Sequence, residues 1–289
     1  MRGSALRIAA GCCVLFATII LAGHAPAAHA LDGEQIPGYD ISWPQCGRQY
    51  PPGPVAFAII GINGGRLYTA NECLLDQYRW AQRMEAHPAV YVNVDYPKPD
   101  RPEARTGPYG LCADTDHWCR AYNYGYGIGR EVVNRARSLH MEPSTWWLDV
   151  ETGNYWSDDP TYNAQVIRGT LEFFRERALP VGIYSNTRQW RIIAGPYAPG
   201  GPIWTAGAQG IDEAAARCTD RSFAFAGGTI AMSQYYDFGY DTNFRCPDGH
   251  PQTAAPLPDP LGRPGPSGRS GGLGANALPF WRPVAMLAN

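Results

Sequence analysis

Between Thr145 and Glu151 the chain reads Thr-Trp-Trp-Leu-Asp-Val-Glu. β-Branched and aromatic residues without Gly or Pro predict a strand. Alternation puts Trp147, Asp149 and Glu151 on one face and the apolar Trp146, Leu148 and Val150 on the other. Two carboxylates thus stand on one side of a hydrophobic strand, roughly 7 Å apart along the backbone. Mutual repulsion makes that pairing costly, and such pairs are concentrated at reactive sites.

The same pattern recurs along the chain. Gly38 to Ser42 predicts a short first strand ending in a turn at Trp43-Pro44-Gln45-Cys46. Phe57 to Ile62 is a near-continuous apolar run, the mark of a strand buried on both faces. Further strands are predicted at Ala89–Val94, Val181–Tyr184, Pro202–Ala206, Thr229–Tyr236 and Tyr240–Phe244. Helical spacing marks 71–84, with Asn71 as N-cap, then 126–140, 161–178 and a short helix near 187–194. Residues 95–124 read as one long irregular insertion, and 208–227 gives no clear signal. Strands alternate with helices and loops about eight times, which predicts an α/β fold with parallel strands. A closed (β/α)8-like barrel is the expected architecture, with a doubly wound sheet as the alternative. Closure would make the first and last strands neighbours and bring Asp40 and Asp241 together, at the strand ends where barrel sites lie.

Composition changes the picture at both ends. Arg2 and Arg7, an apolar run from about Ile8 to Ala22, and Ala28-His29-Ala30 read as a secretory signal over residues 1–30. That run is short for a membrane span, and no other stretch approaches spanning length. Residues 31–246 are the expected domain. From 247 to 289 the chain is rich in Pro and Gly and is expected to be a disordered tail. Its apolar end, Leu278-Pro279-Phe280-Trp281, has no assigned role.

Cys12 and Cys13 would leave with the signal. Cys46, Cys73, Cys112, Cys119, Cys218 and Cys246 remain, an even number that fits disulfides in an exported chain. Pairing in chain order is the expectation, with Cys112–Cys119 closing the most local loop. There is no C-x-x-C pair and no histidine pair at ligand spacing, so zinc is set aside and no cofactor is called for. The net charge is −2, without a basic run, which argues against nucleic acid. Nine Trp and seventeen Tyr supply core, and several fall in Gly/Asn-rich loops where sugars could stack. A monomer is expected.

Six short motifs then occur in order: Gly38-Tyr39-Asp40-Ile41-Ser42, Leu148-Asp149-Val150-Glu151, Gly182-Ile183-Tyr184-Ser185, Ile203-Trp204-Thr205-Ala206, Ser233-Gln234-Tyr235 and Asp241-Thr242-Asn243-Phe244. Over about residues 36–246 the series resembles the glycoside hydrolase family 25 lysozymes. The resemblance implies a (β/α) barrel that cleaves the β-1,4 bond from N-acetylmuramic acid to N-acetylglucosamine in peptidoglycan. It implies Glu151 as general acid and Asp149 as the group that orients and polarises the substrate's acetamido group. Substrate-assisted hydrolysis of this kind departs from the two-carboxylate scheme. Asp40 or Asp241 is the candidate if water is activated directly. Tyr184, Trp204, Gln234 and Tyr235 would line the sugar site. Two features depart from the family: Gly61-Ile62-Asn63-Gly64-Gly65 stands where a lysine-containing segment is common, and the 95–124 insertion is large. A barrel that binds glycan without cutting it, and a metal-dependent phosphodiester hydrolase, are the competing readings.

Overall fold

A computed structural model describes residues 37–85, 87–99, 102–237 and 239–247. The expected signal segment and nearly all of the expected tail lie outside these residues. In chain order the strands and helices are β1 (Gly38–Ile41), β2 (Ala58–Gly61), α1 (Leu74–Ala81), β3 (Ala89–Asn93), β4 (Thr106–Gly107), β5 (Gly110–Leu111), α2 (His117–Ser138), β6 (Trp146–Asp149), α3 (Pro160–Arg175), β7 (Val181–Ser185), α4 (Thr187–Ala194), β8 (Pro202–Ala208), α5 (Ile211–Arg217), β9 (Thr229–Asp237) and β10 (Tyr240–Arg245). Among the described residues no helix is long and apolar enough to cross a membrane.

Eight strands close a barrel in the order β1-β10-β9-β8-β7-β6-β3-β2, and β4 and β5 form a separate two-stranded hairpin. The strands from β1 through β9 run parallel around the barrel. β10 does not: it pairs antiparallel with both β9 and β1. The closed (β/α)8-like barrel is as expected, and only its last strand departs from the parallel pattern. Only residues 238 and 239 separate β9 from β10, and so short a link permits a hairpin but not a crossover. The reversal has a consequence for chemistry. Asp241 lies near the start of its strand, not the end. Because β10 runs backwards, that start reaches the same rim as the ends of the parallel strands, and Asp241 pairs directly with Asp40.

The strand faces sort as alternation requires. Trp146, Leu148 and Val150 join the large core between barrel and helices. Trp147 points the other way, into the barrel, with Phe57, Ile59, Tyr184, Trp204 and Met232.

Helix starts follow local chemistry. Asp159 caps α3 by accepting from the Thr161 amide at 2.8 Å, ahead of Pro160 in the first turn. Asn186 caps α4 in the same way through the Gln189 amide at 2.9 Å. Asn71 does not cap α1, which begins after Cys73. Its amide nitrogen instead donates to the Gly61 carbonyl at 2.8 Å and to Gln77 Oε1 at 2.7 Å.

The helix expected over 126–140 starts nine residues earlier, at His117. The insertion is correspondingly shorter and contains the β4–β5 hairpin. Tyr-Gly-Tyr-Gly-Ile-Gly at 124–129 lowers helix propensity, but tertiary packing overrides it. A Cβ on Gly125 would stand 2.0 Å from the Val166 carbonyl oxygen, and one on Gly169 would stand 2.3 Å from that of Tyr122. The glycines let α2 and α3 cross backbone to backbone. Gly169→Ala is therefore expected to destabilise the fold by about 2 kcal/mol despite Ala's better propensity. A melting temperature equal to or above wild type would contradict that reading. The unclear 208–227 stretch holds α5 and a 3-10 turn at Arg221–Phe223.

Cysteines pair in chain order, as expected: Cys46–Cys73, Cys112–Cys119 and Cys218–Cys246. The last ties the end of β10 to the loop after α5.

Candidate active site

Asp149 ends β6 on the face that Trp147 occupies lower in the barrel, so it points inward above a floor of aromatic rings. Trp204 is the centre of that floor. Its ring centroid lies 4.4 Å from Tyr184, 5.8 Å from Trp147 and 6.4 Å from Tyr91. Above the floor opens a cavity of about 100 Å³, lined by Asp40, Asp149, Glu151, Asp241, Tyr91, Tyr184, Trp204 and Gln234. Four carboxylates from β1, β6 with its following loop, and β10 thus meet at one mouth.

Each acid has a distinct setting. Asp40 is buried, and its Oδ2 accepts from Gln234 Nε2 at 3.0 Å and from Asn243 Nδ2 at 2.7 Å. Tyr184 extends this chain by donating its hydroxyl to Gln234 Oε1 at 2.7 Å. Asp149 is only 4% exposed. Its Oδ2 accepts from Asn93 Nδ2, while its buried Oδ1 has no protein partner. Glu151, just beyond the strand, is partly open to solvent. Gln189 Nε2 donates to Glu151 Oε1 at 3.3 Å, and the same Gln189 side chain accepts from the Thr152 amide at 2.6 Å. Trp156 Nε1 and the Asn154 amide both donate to the Glu151 carbonyl, at 2.8 and 3.1 Å, which fixes the turn that presents the carboxyl. Asp241 is the most exposed of the four.

Among the described residues, none of these acids forms a salt bridge to Lys, Arg or His. With no cation to offset them, burial raises the proton affinity of all four. Asp40 is pushed up to about 8, by burial first and then by Asp241, against the hydrogen bonds from Asn243 and Gln234. Asp149 rises well above the usual carboxylate range, through burial and then Glu151 and Asp40. Glu151 rises through burial, with Gln189 opposing and Asp241 adding to the effect. Asp241 rises through burial. Carboxylates this close titrate as a group, so the cluster retains protons at pH values where isolated acids have lost them.

Of the eight residues that the sequence singles out, seven line this cavity. Tyr235 does not. It follows Gln234 on β9, so the pleat turns it to the opposite face, where it packs with Ala208, Ala214 and Phe244. Asn93, Tyr91 and Gln189 belong to the site and are not singled out by the sequence, and Asn243, part of the last-strand motif, joins them through its bond to Asp40. For Asn93 the signal exists: in Tyr91-Val92-Asn93 the polar positions alternate with buried valines, which marks an inward face. Gly61 makes room for Tyr91, since a Cβ there would meet its hydroxyl at 2.8 Å. Gln189 carries no such signal, because its contact depends on how α4 folds over the β6 loop. In place of the lysine-containing segment usual after the second strand, Asn63 is buried and exchanges hydrogen bonds with the Asn93 backbone at 3.3 Å.

Comparison with known proteins places these features. A family model described as Lysozyme-like protein 1 matches residues 119–225. Probable GH family 25 lysozyme 4 of Dictyostelium discoideum is 30% identical over 125 residues, which are 40% of this chain and 56% of that protein. Probable GH family 25 lysozyme 2 of the same organism is 26% identical over 90 residues, 30% of this chain and 42% of that one. The chain thus spans about half the length of the relatives it matches. Among solved structures, GHIP, a glycosyl hydrolase 25 of Streptococcus pneumoniae described as a virulence factor in host cell invasion, aligns with a TM-score of 0.45 at 14% identity over 74% of this chain and 88% of its own. The catalytic domain of endolysin ply40, from bacteriophage P40 of Listeria monocytogenes, aligns with a TM-score of 0.42 at 13% identity over 75% of this chain and 96% of its own. In its ordered motifs, in the family model matched over residues 119–225 and in its partial relatives, this chain is similar to the glycoside hydrolase family 25 lysozymes.

Proposed function

We propose that this protein is a secreted peptidoglycan hydrolase, a muramidase acting on the β-1,4 bond from N-acetylmuramic acid to N-acetylglucosamine. The observation that carries the reading is the pairing of Glu151 and Asp149. One is a partly open carboxyl whose proton affinity is raised. The other is a buried carboxyl with one oxygen held by Asn93 and the other without a protein partner.

A general acid must still hold its proton at working pH and must reach the leaving oxygen. Two properties of Glu151 support that role: its proton affinity is raised by burial, and it stands partly open at the cavity mouth. As it protonates the leaving oxygen, the bond from that oxygen to the anomeric carbon breaks. The substrate's acetamido oxygen attacks the same carbon, and Asp149 Oδ1 accepts the acetamido N–H, which orients that group for attack. Glu151, now ionised, takes a proton from the water that opens the cyclic intermediate, which restores both enzyme and acetamido group. Asp40 sits deeper and stays largely protonated near neutral pH, so it acts as a neutral group that positions Gln234 and, through it, Tyr184. If water is instead activated directly, Asp241, the most exposed acid, is the base. Three disulfides support export to an oxidising compartment.

Asn93→Leu removes the donor that fixes Asp149. Activity is expected to fall about 10- to 100-fold through loss of orientation, a range typical of groups that support a reacting ligand. Unchanged hydrolysis of purified wall by this variant would remove Asp149 from the oriented role. The bond assignment is tested by digesting peptidoglycan, reducing the products with borohydride and analysing them by mass spectrometry. Muramitol at the new ends is the expected result. Glucosaminitol would place the cut at the other linkage. Retention on the wall without new reducing ends would favour a binding barrel.

A further inference from the structure

A second, larger cavity lies beside the acid mouth, and the hydrolytic scheme does not use it. It has a volume of about 460 Å³ and lies between residues 96–99 at the start of the insertion, the first turns of α2 and α3, and the loop after β6. Its walls carry Tyr96, Tyr155, Trp156 and Tyr162, with His117 tilted against Tyr162 at 5.6 Å. Such a set of ring faces is suited to stacking on the apolar face of a sugar. Tyr155 is 46% exposed, which leaves its ring open to a ligand.

The pocket is held in place from both sides. The Tyr96 amide donates to the Tyr155 carbonyl at 2.7 Å, and Asn154 Nδ2 donates to the Val94 carbonyl at 3.1 Å. It is also joined to the acid mouth. Trp156, on its wall, donates its indole N–H to the carbonyl of Glu151.

Two cations stand at the pocket, Arg120 on its wall and Lys98 beside Tyr155. The Arg120 guanidinium lines the pocket, and its Nη atoms donate to the Asp114 and Pro99 carbonyls at 3.1 and 3.3 Å. No carboxylate among the described residues pairs with it, and its Nε has no partner. Lys98 Nζ stands 5.7 Å from the Tyr155 ring centroid. Among the described residues Asp158 is the one acid on the wall, and its neighbour Asp159 is engaged in capping α3.

We propose that this pocket is a second saccharide subsite, taking a pyranose ring that bears a carboxylate substituent from the same polymer whose linkage is cut at the acid mouth. The inference rests on the glycan-hydrolase reading of that mouth. Tyr155 supplies a stacking face, and Arg120 and Lys98 supply the counter-charge.

The test uses the full chain carrying Glu151→Gln, so that binding is read without turnover. Insoluble purified peptidoglycan is the probe, together with the same wall after chemical reduction of its carboxyl groups to alcohols. Adding Tyr155→Ala is expected to weaken retention on native wall about tenfold, the size of one lost aromatic stack, and Tyr155→Trp is expected to restore it. Carboxyl reduction should weaken retention of the parent about tenfold, and that preference should vanish in Arg120→Ala. Equal retention of parent and Tyr155→Ala on native wall would overturn the proposal and leave the muramidase reading intact. Equal retention of the parent on native and reduced wall would overturn the acidic-substituent assignment. Tyr155-dependent retention by a protein whose wild type releases no reducing ends would support the subsite and overturn the muramidase reading. A parent that does not bind wall at all would overturn both.

Discussion

Glu151→Gln is expected to lower hydrolysis of purified cell wall about 10³-fold, within the usual range for a general acid. Gln keeps the shape and can still meet Gln189, but it has no proton to give to the leaving oxygen. Release of reducing ends over time, against wild type, reads the effect directly. The melting temperature should stay equal to wild type or rise, because one of four mutually repelling acids has been neutralised. That combination separates a lost chemical group from a lost fold. Equal release by wild type and variant would end the enzyme reading.

Asp40→Asn carries the second large effect, on stability. An isolated Asp titrates near 3.8, whereas burial and Asp241 push Asp40 up to about 8. Between those values the folded protein holds a proton that the unfolded chain has released. Stability is therefore greatest below about pH 4 as far as this group is concerned, and it declines as pH rises toward 8. The most a single group could lose over that range is about 6 kcal/mol, and coupling to the other acids spreads the loss over the cluster. Asn cannot ionise, and its side-chain oxygen can still accept from Gln234 and Asn243. The variant is expected to melt higher than wild type at pH 8, by an amount corresponding to about 2 kcal/mol or more. Near pH 4 the two should differ little. Identical melting at both pH values would mean that Asp40 ionises freely in the fold. A wild-type chain that tolerates this cost fits a site in which the acids are retained for chemistry.

Much of this arrangement can be read from the sequence because strand parity is a strong constraint. Asp149 and Glu151 share Trp147's face whatever the rest of the chain does, and the apolar partners Trp146, Leu148 and Val150 leave that face only one direction to point. Barrel closure brings Asp40 opposite Asp241. Where the sequence misleads, a longer-range contact decides. The helix expected from 126 begins at His117, and Gly125, just before the expected start, is helical because the backbone of α3 at Val166 packs against it. The motif Ser233-Gln234-Tyr235 suggests two adjacent sugar contacts, but the pleat allows only Gln234 to face inward. β10 reads as one more parallel strand unless the two-residue link before it is given weight. Gln189 reaches Glu151 only through the packing of α4 on the loop after β6, a contact that no local pattern encodes.

The central claim is that four carboxyl groups without a cationic partner form one coupled cluster at the barrel mouth. It is tested most directly by following side-chain carboxyl carbons by NMR through a pH titration, in protein labelled at Asp and Glu. The account predicts at least one aspartate titrating above about 6, absent from Asp40→Asn, and a neighbouring carboxyl whose midpoint falls in Glu151→Gln. Carboxyls that all titrate between about 3 and 5, each indifferent to the loss of the others, would contradict it.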